Sequence, residues 1–333
     1  MNFHSLFGHK KQIEILMRAI AGDKTPHAYL FIGSEGIGKK LVALKVAQAL
    51  QCTSTEKKPC GLCSGCRKIE AGKHPDVILL EPDGKYIKIE QVRDLQKKLG
   101  FKPFEGNKTV CIIDGVDKMN IAAANSLLKT LEEPPLATHL ILLAENLRLV
   151  IPTIISRCQK LKFNPLTTPE IEKILVREKN LSPQEAHSAA LVADGSPGKA
   201  ITFTEIFPQE ERDALICSFT KINDMNGAFS LAEELTKKGK VEKLMECLEV
   251  LKFFLRDIIT IKLNMKREAV IHNNHMPSIE KMAGELTLED LLLMVKTITK
   301  TESAIAMNSN KRLSIENLLI KLFHKRELLC REL

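Results

Sequence analysis

The sharpest chemical signal in the sequence is the run Gly33-Ser34-Glu35-Gly36-Ile37-Gly38-Lys39-Lys40. It follows an apolar stretch and precedes a helical pattern, the setting in which G-x-x-x-x-G-K-[ST] cradles phosphates with backbone N–H groups and a lysine. Gly33, Gly36, Gly38 and Lys39 are therefore candidate nucleotide- or phosphate-binding residues. The last position departs from the pattern. A hydroxyl belongs there because its oxygen joins the shell of the nucleotide's magnesium, and Lys40 cannot coordinate a cation. Residues 110–114 form an apolar run ending in Asp114, where P-loop proteins hold magnesium through an acid. Gly115 follows, with no side chain to orient an attacking water. Backbone N–H groups and Lys39 could still hold phosphate without a metal, so nucleotide, phosphate and an empty loop all stay open.

A second cluster lies between the loop and the next apolar run. Cys52, Cys60, Cys63 and Cys66 place four thiols within fifteen residues, two of the gaps being C-x-x-C. That spacing can close a tetrahedral zinc site, with Gly61 and Gly65 allowing the turns that aim successive sulfurs at one ion. Four ligands leave no open position, so the zinc would be structural. The competing readings are a redox pair or coincidence.

The elements that must position these groups read as an α/β domain. Ile13, Leu16, Ala19 and Ile20 have helical spacing, stopped by Gly22 to Pro26. Residues 27–32 predict a strand, and 41–50 predict a core-facing helix through Val42, Leu44, Val46, Ala47 and Leu50. Further short apolar runs at 77–80, 110–114 and 139–143 predict a parallel sheet of four or five strands. After Pro165 the alternation ends. Thr168-Pro169, Ser182-Pro183-Gln184-Glu185 and Ser196-Pro197 read as three helix starts, the second a full capping box. From Pro208 the chain predicts helices only, among them 241–262 and 286–298, with Thr287 and Asp290 suited to a cap and Phe253 and Phe254 expected in the core. His272, His275 and His324 are isolated in sequence, as packed or solvated histidines are.

Length and composition bound the rest. A chain of 333 residues with 44% hydrophobic residues supports about two domains with real cores. The opening, Met1 to Leu6, lacks a charged-then-apolar signal pattern and no apolar run reaches about 18 residues, so a cytoplasmic protein without membrane spans is expected. The net charge of +8 is concentrated in residues 1–165, and the remainder is slightly acidic. A phosphate or nucleic-acid face and a solvated surface fit that asymmetry equally. Two Tyr and no Trp argue against base stacking.

Ser126-Leu127-Leu128-Lys129-Thr130-Leu131-Glu132-Glu133-Pro134-Pro135, followed by Ser156-Arg157-Cys158, closely resembles the replication clamp-loader ATPase family, whose subunits carry L-L-K-x-L-E-E-P-P and S-R-C. The resemblance extends from Gly8-His9 through the loop and the four cysteines to Asn310-x-x-Leu313-x-x-Glu316-x-x-Leu319. It implies an AAA+/RecA-like P-loop α/β parallel-sheet domain at 1–165 with an inserted four-cysteine zinc module at 52–66, a small helical lid domain at 166–207, and an all-α collar domain for oligomerisation at 208–333. It also implies partners: tau/gamma-type ATPase and delta-type subunits in a hetero-oligomeric ring, with primed DNA reached through the complex and no membrane. The whole would belong to a DNA-directed DNA polymerase holoenzyme, a nucleotidyltransferase. In that family Arg157, between Ser156 and Cys158, would reach a neighbour's ATP as an arginine finger. Such a guanidinium neutralises charge on the transferring phosphoryl group and can be worth about 10³ to 10⁵ in rate. For a lone arginine the alternative is a surface ion pair.

The family's lid arginine is missing too, since Gly195-Ser196-Pro197-Gly198-Lys199 puts Gly198 at its position and Lys199 one residue off. Lys40, Gly115 and Gly198 all depart from a hydrolytic site, and phosphoryl transfer depends on placed charges. The expectation is a subunit that does not hydrolyse ATP and completes a neighbour's site. The alternatives are an ATPase acting on its own nucleotide, supported by Gly36, Gly38, Lys39 and Asp114, and a zinc-module DNA-binding regulator resting on Arg67 and Lys68.

Overall fold

The structure, a computed structural model, describes residues 8–330 apart from 56–57, 223 and 238–242, with side chains described as far as Phe323. The opening Met1 to Leu6, Val241 and the His324 side chain lie outside the described residues. The chain divides into two compact units, residues 1–174 with 195–198, and residues 175–194 with 199–333. The first unit is built on a five-stranded parallel sheet. Its strands are β1 (Ala28–Ile32), β2 (Val77–Leu80), β3 (Thr109–Asp114), β4 (Thr138–Ala144) and β5 (Gln159–Lys162), in the order β2-β3-β4-β1-β5.

Side chains on a strand alternate between faces, and here the alternation sorts the core into two layers. Leu30, Cys111, Ile113, Leu140 and Leu142 pack beneath α4 (Ile89–Leu99), α5 (Ile121–Glu132) and α6 (Pro152–Ile155). Tyr29, Phe31, Val110, Ile112, Ile141 and Leu143 pack beneath α1 (Lys10–Ala21), α2 (Lys39–Gln51) and α3 (Ser64–Glu70). Both faces being covered explains why the inner strands read as unbroken apolar runs. The strands expected at 77–80, 110–114 and 139–143 are present. β5 is a strand the sequence did not name, because Gln159, Lys160 and Lys162 are exposed at the sheet edge and only Leu161 is buried.

Three helices follow: α7 (Thr168–Lys179), α8 (Pro183–Val192) and α9 (Pro197–Ile206). The Ser182 hydroxyl accepts the Glu185 N–H and the Glu185 carboxylate reaches back to the Ser182 N–H, the expected capping box. At α7 the corresponding contacts belong to Thr167, one residue earlier than expected, with Glu170 accepting from its N–H and hydroxyl.

The second unit holds α10 (Gln209–Thr220), α11 (Met225–Thr236), α12 (Leu244–Lys262), α13 (Met276–Glu285), α14 (Leu288–Ala306) and α15 (Lys311–Cys330) around one apolar core. Thr287 caps α14 by accepting the Asp290 N–H, as its position predicted. Phe254 is fully buried, whereas Phe253 is half-buried against Phe203, a correction to its expected core position. The two described histidines are packed, one of the outcomes their isolation in sequence predicted, and each meets a carboxylate. His272 donates from Nδ1 to the Asp257 carboxylate at 2.8 Å, and His275 Nε2 lies 2.8 Å from Asp213. Asp257 is fully buried and accepts the Ile271 and His272 N–H groups as well. No helix among the described residues is long and apolar enough to cross a membrane.

Candidate functional site

The candidate loop emerges from β1 and turns into α2, as its sequence context predicted. Gly36 and Gly38 both have positive φ, 70° and 105°, and Gly38 stands just before the first helical residue. A side chain would be strained there, so glycine permits the tight approach to the helix. Lys39 is buried, 7% exposed, and its ammonium turns back onto the loop, donating to the carbonyls of Gly33 at 2.6 Å and Ser34 at 2.8 Å. Burial pulls its pKa below the ordinary lysine value, an effect opposed by Glu145, Asp114, Asp117 and Glu35.

The next three carbonyls are satisfied from within the same unit. Glu35 accepts from the Ser196 hydroxyl at 2.7 Å, Gly36 from the Gly198 N–H at 2.9 Å, and Ile37 from His9 Nε2 at 2.9 Å. All five carbonyls from Gly33 to Ile37 thus have internal donors. The Gly8-His9 opening acquires a role here, since His9 also packs edge-on against Phe163 at 4.9 Å. Gly198 is required by close approach. A Cβ at that position would lie 2.6 Å from Gly36 Cα and 2.9 Å from Gly36 O.

Asp114 ends β3 beside the loop, where a sheet of this kind presents its ligand groups. The Lys40 ammonium lies 3.6 Å from Asp114 Oδ2 and 2.5 Å from Glu81 Oε1. Beyond Gly115 the chain makes a 3-10 turn over Val116–Lys118, where Asp117 accepts the N–H groups of Glu145 and Asn146, and Lys118 pairs with Glu145 at 2.9 Å. Sequence reasoning missed Glu81 and Glu145, which strand order brings in, and Asp117, three residues past Asp114 in the turn that follows β3.

Ser156, Arg157 and Cys158 close the short helix α6. The Ser156 hydroxyl donates to Thr153 O at 3.1 Å, and Cys158 turns inward, where burial pushes its thiol up to about 11. Arg157 turns outward with its side chain 34% exposed, donating from Nη1 to Thr153 O at 3.0 Å and from Nη2 to Glu132 Oε1 at 2.5 Å. The two motifs that were separate in sequence therefore meet in one ion pair.

The four cysteines are likewise brought together. The sulfurs of Cys52, Cys60, Cys63 and Cys66 all lie within 4.8 Å of one another. Four sulfurs about 2.3 Å from one zinc stand about 3.8 Å apart in a tetrahedron, and Cys52 and Cys63 are 4.0 Å apart. Backbone N–H groups point at the sulfurs: Cys60 N to Cys52 at 3.4 Å, Cys63 N to Cys60 at 3.3 Å and Cys66 N to Cys63 at 3.5 Å. Donors of that kind favour thiolate over thiol, so the donor set fits a divalent soft-metal ion. The module is fastened to α2, because Gln48 donates to the Cys66 carbonyl at 2.9 Å.

A strand, glycine loop and helix on a parallel sheet, with a buried lysine at the loop's end and an acid on the adjoining strand, place this chain in the class of P-loop nucleotide-binding folds. Two family models match it, one described as DNA polymerase III, delta subunit, over residues 8–167, the other as DNA polymerase III, delta subunit, C terminal, over residues 209–324. The chain is 32% identical to DNA polymerase III subunit delta-prime of Bacillus subtilis over 317 residues, covering 93% of this chain and 94% of that one. It is 29% identical to subunit delta-prime of Haemophilus influenzae, covering 83% and 84%. Subunit tau of Escherichia coli matches over 61% of this chain and 32% of its own length, at 32% identity. Among solved structures, a gamma-subunit-related protein of Thermotoga maritima aligns over 95% of this chain and 99% of its own at 17% identity and a TM-score of 0.47. The chain belongs to the delta-prime family of DNA polymerase III subunits.

Proposed function

We propose that this protein is a subunit of the replication clamp loader that does not hydrolyse ATP and serves the ATP site of a neighbouring subunit. The observation that carries this reading is Lys40 at the position of the metal-binding hydroxyl, its ammonium 3.6 Å from Asp114, and the turn of Lys39 onto the Gly33 and Ser34 carbonyls fits the same reading. Lys40, Gly115 and Gly198 then stand where a hydrolytic site would need a hydroxyl, a water-orienting acid and a cation. Arg157 is the outward-facing candidate for an arginine finger in trans, with Ser156 and Cys158 fixing the turn that presents it. Relatives named as tau subunits of the same polymerase support tau/gamma-type subunits as partners; with delta-type subunits they would form a hetero-oligomeric ring, through which primed DNA would be reached. This reading takes residues 1–165 as the P-loop domain, 166–207 as the lid and 208–333 as the collar, in a cytoplasmic protein. Cys52, Cys60, Cys63 and Cys66 would hold a structural zinc. The second reading, an ATPase in its own right, draws on Gly36, Gly38, Lys39 and Asp114 meeting at one sheet edge. Steady-state ATP turnover by the isolated chain separates the two. None is expected, and hydrolysis that Lys39→Ala abolishes would overturn the proposal.

A further inference from the structure

In P-loop proteins the hydroxyl after the loop lysine and the acid at the end of the neighbouring strand are joined through the magnesium of the bound nucleotide. Here the residues at those two positions meet directly. The Lys40 ammonium lies 3.6 Å from Asp114 and 2.5 Å from Glu81. The sheet dictates the arrangement. β2 and β3 are paired in parallel with Leu80 opposite Ile113, so the residues that follow, Glu81 and Asp114, leave adjacent strands side by side. Lys40, in the first turn of α2, faces both from across the loop. Two carboxylates on neighbouring strand ends repel one another unless a cation stands between them, and one side chain of this protein supplies it.

We propose that Lys40 is a resident cation that excludes a divalent metal from Asp114, so that this loop discriminates against metal–nucleotide complexes. This deepens the reading of a subunit that does not hydrolyse ATP and rests on it. An ammonium gives three hydrogen-bond donors and no acceptor, and cannot join a metal shell. A divalent ion approaching Asp114 must displace it or meet its charge. A threonine at position 40 would remove the charge and restore an oxygen.

The test is uptake of manganese, a paramagnetic stand-in for magnesium, in the presence of ADP, followed by electron paramagnetic resonance of the free ion. The wild-type protein is expected to take up Mn²⁺ with ADP no better than the Asp114→Asn variant. Lys40→Thr should bind the pair at least about tenfold more tightly than wild type, and adding Asp114→Asn should remove the gain. Lys40→Met, which loses the charge without gaining a ligand oxygen, should show a smaller gain. The proposal is overturned if neither Lys40 variant binds Mn²⁺–ADP more tightly than wild type, if the gain survives loss of Asp114, or if wild type already binds the pair through Asp114. ATP turnover by the isolated wild-type chain would defeat the functional reading instead, and the manganese comparison judges Lys40 separately.

Discussion

Replacing Gly198 with alanine adds one methyl group at the place where residues 195–198 meet the loop. The new Cβ would stand 2.6 Å from Gly36 Cα and 2.9 Å from Gly36 O, both backbone atoms that cannot rotate away. Carbon contacts settle near 3.5 to 4.0 Å, so the loop must withdraw by about 1 Å. That movement breaks the 2.9 Å bond from Gly198 N–H to Gly36 O, worth about 0.5 to 1.5 kcal/mol, and overpacking adds about 1 to 3 kcal/mol. The helix propensity of alanine recovers up to about 1 kcal/mol. The net loss is about 2 kcal/mol, or about 4 to 8 °C in the melting temperature of a unit this size. Gly284→Ala provides the matched control, because nothing lies within 4 Å of a Cβ at that position in α13. It should be neutral or raise the melting temperature slightly. Differential scanning calorimetry on the two variants reads both signs in one experiment. A Gly198→Ala protein as stable as wild type would refute the account of the loop as closed by close packing.

Other consequences are open to measurement. Freshly purified protein should carry about one equivalent of zinc; removing it with a thiol reagent and chelator, or making Cys63→Ser, should expose residues 60–66 to protease while the parallel sheet persists. Metal analysis finding no zinc would dismiss the site. Asp257→Asn should destabilise the helical unit by about 3 to 5 kcal/mol, since a buried carboxylate with three donors loses its match to them. A denaturation midpoint unchanged from wild type would show that the buried pair contributes nothing.

What the sequence made legible follows from the range of the interactions. The loop, its departure at Lys40, Asp114 and the cysteine module are local patterns, and the structure assembles each from neighbours in the chain. α14 and α8 announced themselves through their caps, because Thr287 and Ser182 bond to N–H groups three residues away. α4 was passed over although Val92, Leu95 and Leu99 have helical spacing, its exposed face being almost wholly charged or polar. β5 was unnamed because an edge strand with one buried side chain lacks an apolar run. The long-range pairs carried no local signal. Glu81 lies 41 residues from Lys40, and Glu132 lies 25 from Arg157; only the sheet order and the return of α6 bring them together. Asp257 likewise follows Arg256 in α12 with no local sign of its burial, and its partner is 15 residues further on.

The role proposed for Arg157, acting on a neighbour's ATP, is open to direct measurement. The most direct measurement is DNA- and clamp-stimulated ATP hydrolysis by the reconstituted complex containing Arg157→Ala. Normal assembly by gel filtration is expected, with a rate at least about a thousandfold lower at the single site that this arginine would face, the lower end of what a lost arginine finger costs. An assembled complex in which that site turns over at the wild-type rate would contradict that role.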